Sequence, residues 1–285
     1  MKIIKSIQEM MAYSQGQLAA GKSIGFVPTM GYLHEGHAAL MVRARNENDC
    51  VVTSIFVNPL QFGPNEDFER YPRDFARDEM VAENNAVDVV FYPEVHEMYP
   101  NDPSVVLHVK RRVHALCGKT REGHFDGVAT VLTKLFHLVS PTRAYFGMKD
   151  AQQVAVVEGL ISDLNFPVEL VACPTVREED GLAKSSRNVY LSPQERKEAP
   201  VLFRSLKLAA ELLEKEKNIT LVKEKMVEYV ETETSGNVDY FEILSYPELE
   251  EVPCSMQTMI IALAVQFENA RLIDNLLITP KEREQ

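Results

Sequence analysis

Along the chain, short apolar runs alternate with stretches in which apolar residues recur every three or four positions, the pattern of buried strands followed by amphipathic helices. Residues 24–27 are apolar and flanked by Pro28, as a buried strand end is, and 38–46 follow with Leu40, Met41 and Ala44 at helical spacing. Residues 50–57 are almost continuously β-branched or aromatic, which predicts a strand covered on both faces. Further strands are predicted over 87–92, 105–109, 143–146 and 168–173. Between them, Val128, Val131, Leu132, Leu135, Phe136 and Val139 make one helical stripe, and Val154, Val157, Ile161 and Leu164 another. Recurrent strand, turn and helix predict an α/β fold, a Rossmann-like parallel sheet.

Residues 67–84 mix charges of both signs and read mostly as a solvated helix face. From 177 to 188 the composition shifts to charged and small residues, which sets the expected division into a domain over 1–176 and a smaller C-terminal α+β lid domain over 177–285. There Ser192-Pro193-Gln194-Glu195 is a capping box with proline at the first helical position, opening a helix striped by Leu202, Leu206, Ala209 and Leu213. A second helix from about Thr220 and strands over 240–244, 259–265 and 272–278 complete it. There is no internal repeat and no low-complexity tract.

With 285 residues, 45% of them hydrophobic, the chain is long enough for a sizeable core. A formal charge of −12 argues against a broad nucleic-acid or membrane surface, while leaving room for a local basic pocket. Cys50, Cys117, Cys173 and Cys254 are far apart with no Cys-x-x-Cys pair, as reduced cytosolic thiols are. The first residues never reach a signal-peptide core, and the most apolar run, 259–265, is too short to span a bilayer.

The candidate chemistry gathers where predicted strands end. Met30-Gly31-Tyr32-Leu33-His34-Glu35-Gly36-His37 carries the chain from the first of these strands into a helix start, where unpaired N–H groups and the helix dipole favour an anion such as phosphate. Imidazole N–H groups suit phosphate oxygens; a structural histidine pair and a metal site are the alternatives, zinc being disfavoured for want of a nearby cysteine. Asn58 and Gln61 follow the strand over 50–57 at the ligand edge of such a sheet, with turn chemistry as the plain alternative. Gly147-Met148-Lys149-Asp150, then Gln153, repeat the arrangement, and here a capped helix is the alternative. Lys184, Ser185, Ser186 and Arg187 put two cations and two hydroxyls in four residues, suited to polyphosphate or simply to an exposed linker. The basic cluster of Lys110, Arg111, Arg112, Lys119 and Arg121 reads as an oligomer surface or phosphate-attracting rim, and His137 as structural.

These motifs occur in one order. Pro28 to His37, Ser54 to Phe62, Gly123 to Thr130, Tyr145 to Gln153 and Ser185 to Asn188 resemble the pattern of the pantoate–β-alanine ligase (pantothenate synthetase) family, within the class I synthetase and nucleotidyltransferase superfamily. The resemblance covers essentially the whole chain; Met148, Ala151 and Lys184 depart from the residues frequent at their positions. It implies ATP-dependent, AMP-forming condensation of (R)-pantoate with β-alanine, with ATP as substrate, Mg²⁺ required, and a cytoplasmic homodimer with no nucleic-acid or membrane partner. It further implies His37, His34 and Lys149 as catalytic residues, and a nucleotide held by Met30 to His37, Gly147 to Asp150, Val176 and Lys184 to Arg187. Pantoate would be held by Gln61 and Gln153, less strongly by Asn58, with Asp78 near the metal. A nucleotidyltransferase that stops at a nucleotide product, and a non-catalytic ATP sensor, are the rival readings.

Overall fold

The computed structural model describes residues 1–64, 66, 68–216, 218–252 and 258–279. Cys254 lies outside them. The chain divides into two compact units, one of residues 1–110, 121–148 and 156–174, the other of 111–120, 149–155 and 175–285.

The first unit is built on six parallel strands, β1 (Lys2–Ile4), β2 (Ile24–Thr29), β3 (Cys50–Ile55), β4 (Val89–Phe91), β5 (Arg143–Gly147) and β6 (Glu169–Cys173), in the order β1-β4-β3-β2-β5-β6. The chain's helices run α1 (Ile7–Ala19), α2 (Glu35–Glu47), α3 (Phe75–Asn84), α4 (Val95–Met98), α5 (Leu116–Thr120), α6 (His124–Val139) and α7 (Ala151–Asp163). Successive strand residues face opposite ways, and β2 has partners for both. Phe26 meets the Phe136 ring of α6 edge-on at 6.5 Å, whereas Val27 joins Leu40, Met41 and Ala44 of α2 in a core cluster. Both faces are therefore covered, which is why these strands read as continuous apolar runs.

Strand order reverses at β2, with β3 on one side and β5 on the other. Such a switch point is where open α/β sheets bind ligands, beyond the carboxyl ends of the strands. Pairing of β2 with β5 stops at Phe26, two residues before Pro28, whose missing N–H cannot extend a ladder. The residues after Thr29 lie at this edge, where β5 also ends at Gly147.

Some expectations need correcting. Residues 105–109 form no strand; Val105 and Val106 are 75% and 74% exposed, with no neighbouring strand to pair. Of the charged segment 67–84, Asp67 lies outside the described residues and the rest becomes helical only from Phe75, where Asp74 caps the N–H of Arg77. Arg121 is no rim cation, since Glu66 pairs with it at 2.5 Å.

The second unit carries an antiparallel sheet, β7 (Asn237–Ser245), β8 (Met259–Gln266) and β9 (Arg271–Ile278) in that order, with α8 (Pro193–Glu198), α9 (Val201–Lys215) and α10 (Ile219–Glu233). Leu202, Leu206 and Ala209 of α9 are buried in one cluster with Ile261, Leu263 and Val265 of β8. The capping box forms, Ser192 accepting from Glu195 N–H and Glu195 from Ser192 N–H. Residues 111–120 join 149–155 through buried Gln152, whose amide donates to the carbonyls of Arg112 at 2.9 Å and Ala115 at 2.8 Å. Arg112 returns the link by donating to the Ala155 carbonyl and pairing with Glu248 at 2.8 Å. The cluster at 110–121 is thus partly internal rather than an open cationic surface.

Candidate active site

At the end of β2, Thr29 donates to the Ser54 carbonyl at 2.7 Å and accepts from Gly31 N–H at 3.2 Å, starting the turn. Gly31 (φ 84°) and Tyr32 (φ 51°) are successive left-handed residues, a conformation that points consecutive N–H groups into one concavity. The anion in that concavity is the protein's own. Asp78 accepts from Tyr32 N–H at 2.9 Å and Leu33 N–H at 2.6 Å. A Cβ on Gly31 would lie 2.8 Å from the Asp78 carboxylate, so only glycine permits the approach. Burial pushes the Asp78 carboxyl up, an effect that the two N–H groups offset in part.

The metal role expected of Asp78 is therefore not carried by its geometry: it is 1% exposed and both oxygens face backbone donors. Among the described residues no group of three or more His, Cys, Asp or Glu is arranged to hold a metal ion. The residues present do not make a protein cage for Mg²⁺, which takes octahedral oxygen ligands and is ordinarily carried on substrate phosphates.

Leu33, fully buried, anchors the turn, and His34 caps α2. His34 Nδ1 accepts from Gly36 N–H at 3.1 Å, and His37 Nδ1 accepts from His34 N–H at 3.3 Å. This is a reciprocal cap in which imidazoles replace the usual hydroxyl and carboxylate. With both Nδ1 atoms accepting, each neutral ring carries its hydrogen on Nε2 and donates from there. The rings sit 4.1 Å apart, inclined by 41°. A phosphate at this helix start would meet imidazole donors more than bare backbone, because several of the turn's N–H groups already have partners.

Gln61 is fixed from several directions. Its side-chain carbonyl accepts from Asn58 at 3.2 Å, and its NH₂ donates to the Met30 sulfur at 3.0 Å. A thioether is a weak acceptor, so a ligand hydroxyl or carboxylate is a better partner for that amide. Asn58 itself is 1% exposed and committed inside the protein: it donates to the Gly127 carbonyl at 3.0 Å and accepts from the Tyr99 hydroxyl at 3.0 Å. It holds Gln61 in place. Burial holds the Tyr99 phenol protonated, hence a donor.

Four further residues complete this corner without a signal that assigned them this role in the sequence. His124 Nδ1 donates to the Gln61 carbonyl at 2.7 Å, and Arg121, paired with Glu66, reaches the same oxygen at 3.3 Å. Burial raises the Glu66 carboxyl, but the Arg121 hydrogen bond and charge outweigh it and hold the group below its ordinary range. Gly127 lets α6 touch this turn: a Cβ there would lie 2.2 Å from the Leu60 carbonyl oxygen. A cleft of about 590 Å³ opens beside Met30, lined also by Phe56, Arg73, Asp74, Tyr92 and Tyr99.

In the second unit, Lys149 lies 3.6 Å from Asp150, and its carbonyl accepts from Asn275 at 2.9 Å. Gln153, half-buried, follows in the first turn of α7. The Val176 carbonyl accepts from Lys184 N–H at 2.9 Å. The Lys184 ammonium is paired with Glu178 at 2.8 Å, so this lysine is not simply an open phosphate cation. Ser185 caps the short turn Ser186–Tyr190 by accepting from Arg187 N–H at 3.3 Å.

A reversed-order parallel sheet with a glycine turn and two helix-capping imidazoles at its switch point defines a nucleotide-binding α/β enzyme. The model of the pantoate–β-alanine ligase family matches residues 2–277, and the chain belongs to that family. It is 61% identical over 279 residues to the pantothenate synthetase of Geobacillus sp. (strain WCH70), covering 98% of this chain and 99% of that one. The Bacillus cereus (strain ZK / E33L) pantothenate synthetase is 59% identical over 282 residues, covering 99% and 100%. Among solved structures, pantothenate synthetase from Thermus thermophilus superposes with a TM-score of 0.89 at 46% identity, over 98% of this chain and 100% of that one. The pantoate–β-alanine ligase from Francisella tularensis, complexed with β,γ-ATP and β-alanine, gives 0.79 at 33% identity, over 97% of each.

Proposed function

We propose that this enzyme joins (R)-pantoate to β-alanine in two steps through a pantoyl-adenylate. ATP-dependent ligation of these two substrates is its reaction. A carboxylate is a poor acyl donor, so it must first acquire a leaving group. A pantoate carboxylate oxygen attacks the α-phosphorus of ATP, the bond to the β-phosphate oxygen breaks, and pyrophosphate leaves with that electron pair. The β-alanine amine then attacks the acyl carbon, the bond to the AMP oxygen breaks, and the amide forms with loss of the amine proton.

The observation that carries this reading is the histidine pair, whose Nδ1 atoms are held by backbone N–H groups so that both rings are set to donate through Nε2 to phosphate oxygens as charge builds on departing pyrophosphate. Gln61 and Gln153 are assigned to pantoate, supported by the weak thioether partner of the Gln61 amide. Lys149, Asp150, Ser185, Ser186 and Arg187 are assigned to the nucleotide, with Met30 to His37, Gly147, Met148 and the Val176 backbone; Lys184 shares its charge with Glu178. Mg²⁺ enters as the MgATP substrate. A homodimer in the cytoplasm is the proposed setting, supported for the compartment by Cys50, Cys117 and Cys173 being free thiols.

Oxygen tracing tests the chemistry. With ¹⁸O in the pantoate carboxylate, one label is expected in AMP, because the attacking oxygen leaves with the phosphate. Label in orthophosphate, or none in either product, would contradict an acyl-adenylate.

A further inference from the structure

Edge strand β9 breaks the usual alternation of polar and apolar residues. Asp274 and Asn275 are adjacent, polar, and only 4% and 8% exposed. Neighbouring strand side chains leave on opposite faces, so each needs its own partner. Asp274 takes Arg177 in a two-pronged pair, Nη1 to Oδ2 at 2.6 Å and Nη2 to Oδ1 at 2.8 Å. The same guanidinium donates to the Gly181 carbonyl at 3.0 Å and stacks 3.6 Å from the centre of the Phe203 ring. Asn275 donates to the Lys149 carbonyl at 2.9 Å.

Arg177 is the first residue of a small hairpin. It bridges to Ala183, Glu178 N–H donates to Leu182 at 2.8 Å, and Lys184 N–H donates to Val176 at 2.9 Å. Fixing the planar guanidinium fixes the hairpin register, and with it the start of the 184–187 run. A buried ion pair is a costly way to gain stability, so its use here points to geometry.

We propose that Asp274 and Asn275 are positioning residues for the adenylation step: one rigid strand sets the spacing between the Lys149 element and the loop bearing Ser185, Ser186 and Arg187. This rests on the assignment of those elements to the nucleotide. The strand acts through Arg177 on one element and through a backbone carbonyl on the other, and touches no substrate itself.

The test separates the half-reactions. Asn275→Leu and Asp274→Asn are each expected to slow pantoate-dependent pyrophosphate–ATP exchange by about ten- to a hundred-fold and to raise the ATP KM, as a misplacement near 1 Å does. Aminolysis of chemically prepared pantoyl-adenylate by β-alanine is expected at the parent rate, because that step grips no triphosphate. A merely structural role would slow both steps together. Equal losses in both, or undiminished exchange in Asn275→Leu, overturn the proposal. Should Asp274→Asn fail to fold with Arg177 left unpaired, Asn275→Leu decides alone, since it removes one neutral donor. Absence of exchange in the parent enzyme would strike instead at the adenylate reading on which this proposal stands.

Discussion

An imidazole that spends Nδ1 on a backbone N–H has one place left for its hydrogen, and at this turn that rule applies twice, to His34 and His37. Removing either donor, as His34→Ala or His37→Ala, is expected to cost about a hundred- to a thousand-fold in the adenylation rate, the loss typical of one preorganised donor to a developing charge. Circular dichroism would remain that of the parent fold, and near-parent rates in both variants would refute the role. The pair was legible because both residues lie in one short motif between a strand and a helix. Asp78 was not legible as the clamp of that turn, because its partners Tyr32 and Leu33 lie 46 and 45 residues away and only the fold brings them together. The enclosure of Asn58 by Gly127 and Tyr99 was illegible for the same reason, being a tertiary fact.

Elements carry the site through a few close approaches. Where α6 meets the turn at Pro59–Gln61, an added methyl on Gly127 collides with backbone that cannot swing aside. Gly127→Ala is expected to displace Gln61 and raise the pantoate KM by about ten-fold or more, a misplacement effect, with the ATP KM unchanged; steady-state kinetics with each substrate varied would show it. The cap of α8 gives a pH-dependent counterpart. N–H groups of Ser192 and Glu268 bond to Glu195 and hold its carboxyl below the ordinary range. A depressed carboxyl contributes stability that is fully present above its unfolded pKa of about 4.3 and is lost as pH falls through the lower folded value. Glu195→Gln is therefore expected to lower Tm near neutrality, by roughly 1–2 kcal/mol of stability, and the difference from the parent to shrink below about pH 4. An equal difference at both pH values would contradict it. The capping box announced itself in sequence because all its parts lie within four residues. β1 and α1 did not: β1 has three residues, and α1 buries only Met10 and Ser14, too weak a stripe to read. The valines at 105–109 misled for the opposite reason, strong strand propensity without a neighbour to pair.

For the molecule as a whole, the order of apolar runs gave away the parallel sheet, while the membership of each unit depended on contacts that no local pattern encodes. Residues 111–120 and 149–155 hold together across some forty residues of chain, Gln152 donating to the Arg112 carbonyl and Arg112 to the Ala155 carbonyl, and they belong with 175–285 through Arg112 on Glu248 and Asn275 on the Lys149 carbonyl. Lys149 thereby falls in the same unit as Ser185, Ser186 and Arg187, and the histidine turn and Gln61 in the other. The proposed chemistry has a fixed order, adenylation before amide formation. Its most direct measurement is exchange of labelled pyrophosphate into ATP by enzyme supplied with MgATP and pantoate alone. Exchange without β-alanine, with net AMP formation only once β-alanine is added, is the expected result; exchange that strictly requires β-alanine, or ADP and phosphate as products, would contradict the account.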